Sequence, residues 1–160
     1  MSTCIFPGRF QPFHTGQLMV VEGMVKTCSR SVIAVCHEGK LGEDDLFTQE
    51  QVREMITSSL LSEDIVDAEI VFVQDTGEDA EWVDKVLEAA QNPEDAVVWS
   101  GNAHVLALFQ AAGIATKEIK PVPGHVSEDI RTAIEHRDSV WRSKVPGGSM
   151  NVIDDVIGTQ

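Results

Sequence analysis

The chain is short of positive charge. Its 160 residues hold 12 Lys and Arg against 26 Asp and Glu, a formal net charge of −14. DNA- and RNA-binding proteins need a basic face, so nucleic acid is not the expected partner. No apolar run approaches the ~20 residues that cross a bilayer, and residues 1–20 lack the basic-then-apolar pattern of a secretory signal. The expectation is no membrane partner and a cytoplasmic location. Cysteine is scarce and odd in number: Cys4, Cys28 and Cys36, with no Cys-x-x-Cys pair. Reduced structural thiols are the reading that follows. No internal repeat, low-complexity run or linker breaks the chain, so one domain over residues 1–160 is expected. Two common phosphate motifs are missing as well. No Gly-Lys-Ser/Thr of a Walker loop occurs, and no Gly-x-Gly-x-x-Gly dinucleotide fingerprint.

What is present is the make-up of a soluble globular protein, 42% apolar and 24% charged. The acidic excess comes from few Lys and Arg rather than from one tail, and a salt-rich host would account for it. Thr3–Phe6 reads as a first strand and Leu18–Val25 as a helix. Ser31–Cys36 is a continuous apolar run, the mark of a buried parallel strand. Thr48 reads as an N-cap with Gln51 closing a capping box; Val52, Met55, Ile56, Ser59 and Leu60 follow at helical spacing. Ile70–Val73 is a strand, Asp75-Thr76-Gly77 a turn, and Val83, Val86, Leu87 and Ala90 a helix stripe ending near Pro93. Ala96–Trp99, the Ser100-Gly101-Asn102 turn and the Val105–Ala112 stripe repeat the pattern. Thr116–Lys120 is a short strand. Ser127 is read as the N-cap of a helix running to His136, Val140–Val145 as one more turn, Pro146-Gly147-Gly148 as a break, and Met150–Ile157 as the last helix.

Strands alternating with helices predict a parallel sheet, doubly wound and Rossmann-like, in the order 3-2-1-4-5. Right-handed crossovers put all strand-to-helix turns at one end, and ligands bind where the order reverses, between strands one and four. The turns there are Gly8-Arg9-Phe10 and Ser100-Gly101-Asn102. The first has the chemistry of a phosphate site. Gly8 permits close backbone approach, Arg9 offers a planar fork of donors, and His14 donates in either protonation state beside a helix N-terminus.

The stretch Gly8-Arg9-Phe10-Gln11-Pro12-Phe13-His14-Thr15-Gly16-Gln17 resembles the signature of the HxGH nucleotidyltransferase superfamily, with Gln17 in place of the second histidine. Phe47-Thr48, Asp75 through Trp82-Val83, Val98–Asn102 and Ser127–Arg131 resemble further segments of the archaeal-type nicotinamide mononucleotide (NMN) adenylyltransferases, in order and at similar spacing. The resemblance implies adenylyl transfer from ATP to NMN or a similar phosphorylated acceptor, with pyrophosphate released. It implies catalytic roles for Arg9, His14 and Arg131, and substrate contacts from Gly8, Phe10, Gln17, Asp75, Trp82, Gly101, Asn102 and Ser127. It implies Mg²⁺ held mainly through the nucleotide phosphates, with no protein metal site. Gln17 keeps a donor but no charge; Val52 falls on the family's middle-helix arginine, and Val126 and Glu128 on its hydroxyl positions. Two alternatives stand beside this reading: a nucleotide-binding protein without turnover, and a cytidylyltransferase of the same superfamily. The acceptor is left open, and so is assembly into a homo-oligomer.

Overall fold

The computed structural model describes residues 2–42 and 44–158. The chain forms two compact units, each drawn from three separated segments. The first takes residues 1–8, 21–39 and 67–120; the second takes residues 9–20, 40–66 and 121–160.

The first unit is built on a five-stranded parallel sheet: β1 Thr3–Gly8, β2 Arg30–His37, β3 Ala68–Gln74, β4 Ala96–Ser100 and β5 Ala115–Glu118. Its order is β3-β2-β1-β4-β5, the predicted doubly wound order with the reversal between β1 and β4. Six consecutive residues of β2, Ser31–Cys36, are buried, as a strand covered on both faces must be. One sheet face supplies Val32, Ala34 and Cys36 from β2, and Ala96 and Val98 from β4, at the period of two that a strand imposes. Against them pack Val83, Val86 and Ala90 of helix α3 (Asp79–Ala89) and its C-cap, and Phe109 of helix α4 (Ala103–Ala111).

Helix α1, Thr15–Thr27, starts among the residues of the second unit and ends among those of the first. Cys28 lies one residue past its end, and it forms a disulfide with Cys4 at the start of β1, their Cα atoms 6.0 Å apart. This corrects the expectation of three reduced thiols. A right-handed strand–helix–strand unit brings the end of its helix back to the start of its strand, so residues 24 apart in sequence meet. Cys36 lies outside the disulfide and is buried.

The second unit packs helix α2 (Gln49–Ser62) against helix α6 (Gly147–Ile157), and helix α5 (Ser127–Glu135) against a 3-10 helix, Ser139–Lys144. Thr48 and Gln51 form the predicted reciprocal cap of α2, and Val52, Met55, Ile56, Ser59 and Leu60 are its buried stripe. Gly147-Gly148 is not a break before the last helix but its first turn. The reason is packing: a Cβ at Gly148 would lie 2.6 Å from the Ser59 backbone nitrogen, so α6 approaches α2 at backbone distance. Any side chain there forces the helices apart, at a cost of about 1–3 kcal/mol.

Candidate active site

The Arg9–Gln17 turn is held from the inside by its apolar residues. Phe10 and Phe13 are fully buried, their rings 6.0 Å apart. Phe10 has φ +56°, a left-handed conformation unfavourable for a residue with a Cβ. Gln11 and Phe47 exchange hydrogen bonds: Gln11 Nε2 donates to the Phe47 carbonyl at 3.0 Å, and the Phe47 N–H donates to Gln11 Oε1 at 2.9 Å. Ser149 Oγ donates to the Phe13 carbonyl at 2.7 Å. The Gln11–Pro12 peptide is cis. With these residues turned inward, Arg9 and His14 are the side chains left to meet a ligand. Phe10 was expected to touch substrate; its ring lies in the core, so what it offers a ligand is main chain.

His14 caps α1. Its Nδ1 accepts from the Gln17 N–H at 3.3 Å, while Gln17 Oε1 accepts from the His14 N–H at 3.0 Å. This is a capping box with an imidazole in the usual place of a hydroxyl. It fixes the tautomer: an accepting Nδ1 leaves the proton on Nε2, which is a donor with no protein partner among the described residues. Burial, and secondarily the His125 ring, push the His14 pKa down to about 4, so at neutral pH it donates without carrying charge. Gly16 is fixed by the same geometry. A Cβ there would sit 3.0 Å from His14 Cε1.

Two arginines reach the same turn. Arg9 Nη1 donates to both carboxylate oxygens of buried Asp45, at 3.1 and 2.9 Å. Arg131, on the second turn of α5, donates through Nη1 to the Gln11 carbonyl at 3.0 Å, and its Nη2 lies 3.6 Å from Asp44. So the second unit brings Arg9, His14, Gln17 and Arg131 together, three of them named as catalytic from the sequence. Ser127 was read as the N-cap of α5; the cap is Val126, extended at φ −98° and ψ 122°, and it makes no side-chain bond. Ser127 is the first helical residue instead.

The other named residues belong to the first unit. Gly8 ends β1 and Gly101 follows β4. These strands are parallel neighbours, so both glycines lie at the carboxyl end of the sheet. Asn102 Oδ1 accepts from the Val105 N–H at 3.1 Å and caps α4. A Cβ at Gly101 would come within 3.1 Å of the Ile119 carbonyl oxygen. Asp75 forms the expected turn, accepting from the Gly77 N–H at 3.0 Å. Trp82 is half-buried edge-on to Phe109, with ring centroids 5.6 Å apart, and its Nε1–H is buried with no hydrogen-bond partner among the described residues.

A profile of the cytidylyltransferase-like family matches residues 5–133. The chain belongs to that family. Among its relatives, a protein of Methanococcus aeolicus named nicotinamide-nucleotide adenylyltransferase is 32% identical, over 94% of this chain and 87% of its own length. A protein of the same name from Methanolobus tindarius is 28% identical over 99% of this chain and 91% of its own. Solved structures similar in fold include a bifunctional NMN adenylyltransferase/ADP ribose pyrophosphatase from Francisella tularensis, with TM-score 0.83 and 17% identity. In a complex with AMP and Mn ion that protein gives TM-score 0.77. Both matches cover 99% of this chain, which spans about half the length of those chains. The recognised superfamily and the Rossmann-like α/β fold are therefore established.

Within the cytidylyltransferase-like family frame, three residues of this site escaped the sequence reading. Asp45 and Asp44 stand opposite the arginines, and Lys144 lies beside the loop that leads to α5. An acidic pair in a polar loop carries no sequence signal for the arginine it will meet. Among the described residues no cluster of three or more His, Cys, Asp or Glu could hold a metal ion.

Proposed function

We propose that this chain is a nucleotidyltransferase that moves an adenylyl group from ATP to nicotinamide mononucleotide or a similar phosphorylated acceptor. The observation that carries the reading is the α1 N-terminus, where a buried neutral imidazole, its Nε2–H without a protein partner among the described residues, shares its turn with Arg9 and with the Gln11 carbonyl that Arg131 holds. Such donors suit a reaction whose work is positioning and charge stabilisation. A phosphate oxygen of the acceptor attacks the α-phosphorus. The new P–O bond forms as the bond to the β-phosphate oxygen breaks, and pyrophosphate leaves with that electron pair. No proton transfer and no covalent enzyme intermediate are required.

In this reading Arg9 and Arg131 exchange their carboxylate partners for phosphate oxygens of ATP, and His14 Nε2–H donates to the phosphate at the reacting end. Gln17, its oxygen held by the His14 N–H, donates through its amide nitrogen. Gly8 and Phe10 offer main chain, Gly101 and Asn102 meet the adenosine, Trp82 and Asp75 the acceptor base, and Ser127 the phosphates. A divalent cation such as Mg²⁺ held on the nucleotide phosphates would supply further charge neutralisation beside Arg9 and Arg131. Residues 1–160 act as one domain, because neither unit is a continuous piece of chain. The location is cytoplasmic; no helix among the described residues is long and apolar enough to cross a membrane.

A binding protein without turnover is the second reading. It is favoured by the carboxylates on Arg9 and Arg131 and by Glu128 and Asp129 in the first turn of α5. The test is pyrophosphate release with Mg-ATP or Mg-CTP and a panel of phosphorylated acceptors, beside a thermal-shift titration of each nucleotide. Release with ATP and NMN together is expected. Stabilisation by ATP without release from any acceptor would establish the second reading, and release with CTP alone would make the chain a cytidylyltransferase.

A further inference from the structure

Both signature positions at the start of α1 are uncharged at neutral pH. Gln17 is an amide, and His14 is a neutral imidazole. Hydrogen bonds in which donor or acceptor is ionised are roughly twice as strong as neutral ones, and a cationic donor adds direct Coulomb attraction to an anion. A second imidazole lies within reach. The His125 ring centroid is 6.0 Å from that of His14, with the planes inclined at 48°. A Cβ on Gly16 would lie 3.5 Å from His125 Cβ as well as 3.0 Å from His14 Cε1. The missing side chain at Gly16 therefore lets both histidines crowd the first turn of α1.

His125 is oriented by its own backbone. Its Nδ1 is 3.2 Å from the Pro123 carbonyl, which only accepts, so Nδ1 carries the proton. Its Nε2 has no partner among the described residues. On the other side, a Cβ on Gly124 would fall 2.9 Å from Lys144 Nζ, so an ammonium group lies against the residue before His125. Lys144 makes no ion pair among the described residues, in a chain with 26 acidic side chains.

We infer that His125 is a second substrate-contacting imidazole, which in its protonated form donates Nε2–H to a phosphate oxygen of the departing pyrophosphate beside His14. The identity of the anion rests on the nucleotidyltransferase reading; the cationic site itself does not. A neutral His125 with its proton on Nδ1 shows phosphate a lone pair at Nε2. Binding therefore selects the form protonated on both nitrogens. The charged and titratable groups around it are His14 on the facing turn, Lys144 beside Gly124, and Glu128 and Asp129 on the first turn of α5.

The experiment titrates inorganic pyrophosphate into the full chain at pH 6 and pH 8, for wild type, His125→Ala and His125→Gln, with the imidazole Cε1 resonances of wild type followed by NMR. Wild type is expected to bind more tightly at pH 6, and its His125 resonance to move to the protonated position on saturation. His125→Ala should bind at least about tenfold more weakly at pH 6, the lower bound for a hydrogen bond to a charged group, and lose the pH dependence. His125→Gln should fall between the two at pH 6 and not change with pH. Wild-type affinity and pH dependence in His125→Ala, a His125 resonance that does not move, or no binding by wild type would each overturn the inference. If pyrophosphate binding needs His125 but no acceptor gives release, the transfer reading fails and the inference stands. If transfer proceeds and His125→Ala matches wild type in rate and affinity, the reverse holds.

Discussion

The turns after β1 and β4 open in the same way and end differently. Each follows a strand at the point where the sheet order reverses, and each starts a helix. Each helix has a side-chain cap: His14 Nδ1 accepts from the Gln17 N–H, and Asn102 Oδ1 from the Val105 N–H. The first cap is reciprocal and its imidazole is buried, in a turn that carries Arg9 and accepts from Arg131 at the Gln11 carbonyl. The second is one-sided and exposed, and its tightest feature is the approach of Gly101 to the Ile119 carbonyl. A capped helix N-terminus after a parallel strand is common to both. What sets the first apart is a set of donors held rigid by a buried turn, which is what charge stabilisation requires. The second, Ser100-Gly101-Asn102, offers the N–H groups of its helix N-terminus but carries no cationic side chain.

The largest expected difference between the turns is in turnover. His14→Ala should lower pyrophosphate release by about 10²–10³, the usual loss for one donor at a reacting group. Asn102→Ala, measured under the same conditions, should lower it by less than about tenfold. Equal losses would break the contrast.

Acid stability separates the turns next. Native His14 titrates at about 4, against 6.5 for an ordinary histidine. Between those values the unfolded chain binds a proton that the native chain refuses, so stability falls as pH drops through this window. At its lower end the loss attributable to His14 is about 3 kcal/mol. His14→Asn keeps a capping side chain and should remove that component; urea midpoints from pH 7 to pH 4 for both proteins measure it. The Asn102 turn has no such group.

Reduction of the Cys4–Cys28 bridge probes the foot of the β1–α1 unit, which has no counterpart below β4. A closed loop of this length contributes about 3 kcal/mol in the chain-entropy account, so denaturation with and without reductant should differ by that amount, and nucleotide binding should persist. The smallest effects are in the caps. Gln17→Ala and Asn102→Ala should each cost about 1 kcal/mol of stability, readable as a shift in urea midpoint. Only the first should also weaken pyrophosphate binding.

The sheet was legible in the sequence because its signals are local. The apolar run Ser31–Cys36 suits a strand buried on both faces, and the Thr48–Gln51 box is written within four residues. Arg9, His14 and Arg131 were named through an ordered set of motifs, and all three lie in the second unit. What was not legible depends on distant chain. Cys4 and Cys28 pair only because the helix returns to the foot of its strand. Gly147 and Gly148 look like a break in the sequence, yet they begin the last helix, and Gly148 serves its close contact with Ser58 and Ser59. The boundary at Val126–Ser127 turned on backbone dihedrals, which a hydroxyl in the sequence does not reveal. The carboxylates of Asp44 and Asp45 find their arginines from opposite sides of a turn, through contacts that no spacing encodes.

The central claim is that the α1 N-terminus carries out transfer, and its most direct test is dinucleotide formation from Mg-ATP and NMN by wild type and His14→Ala, followed by chromatography and normalised to folded protein. Wild type should form dinucleotide and pyrophosphate in equal amounts, and His14→Ala should be slower by about two orders of magnitude or more while still folded. Background activity in wild type that nonetheless binds ATP, or a His14→Ala variant as fast as wild type, would contradict the account.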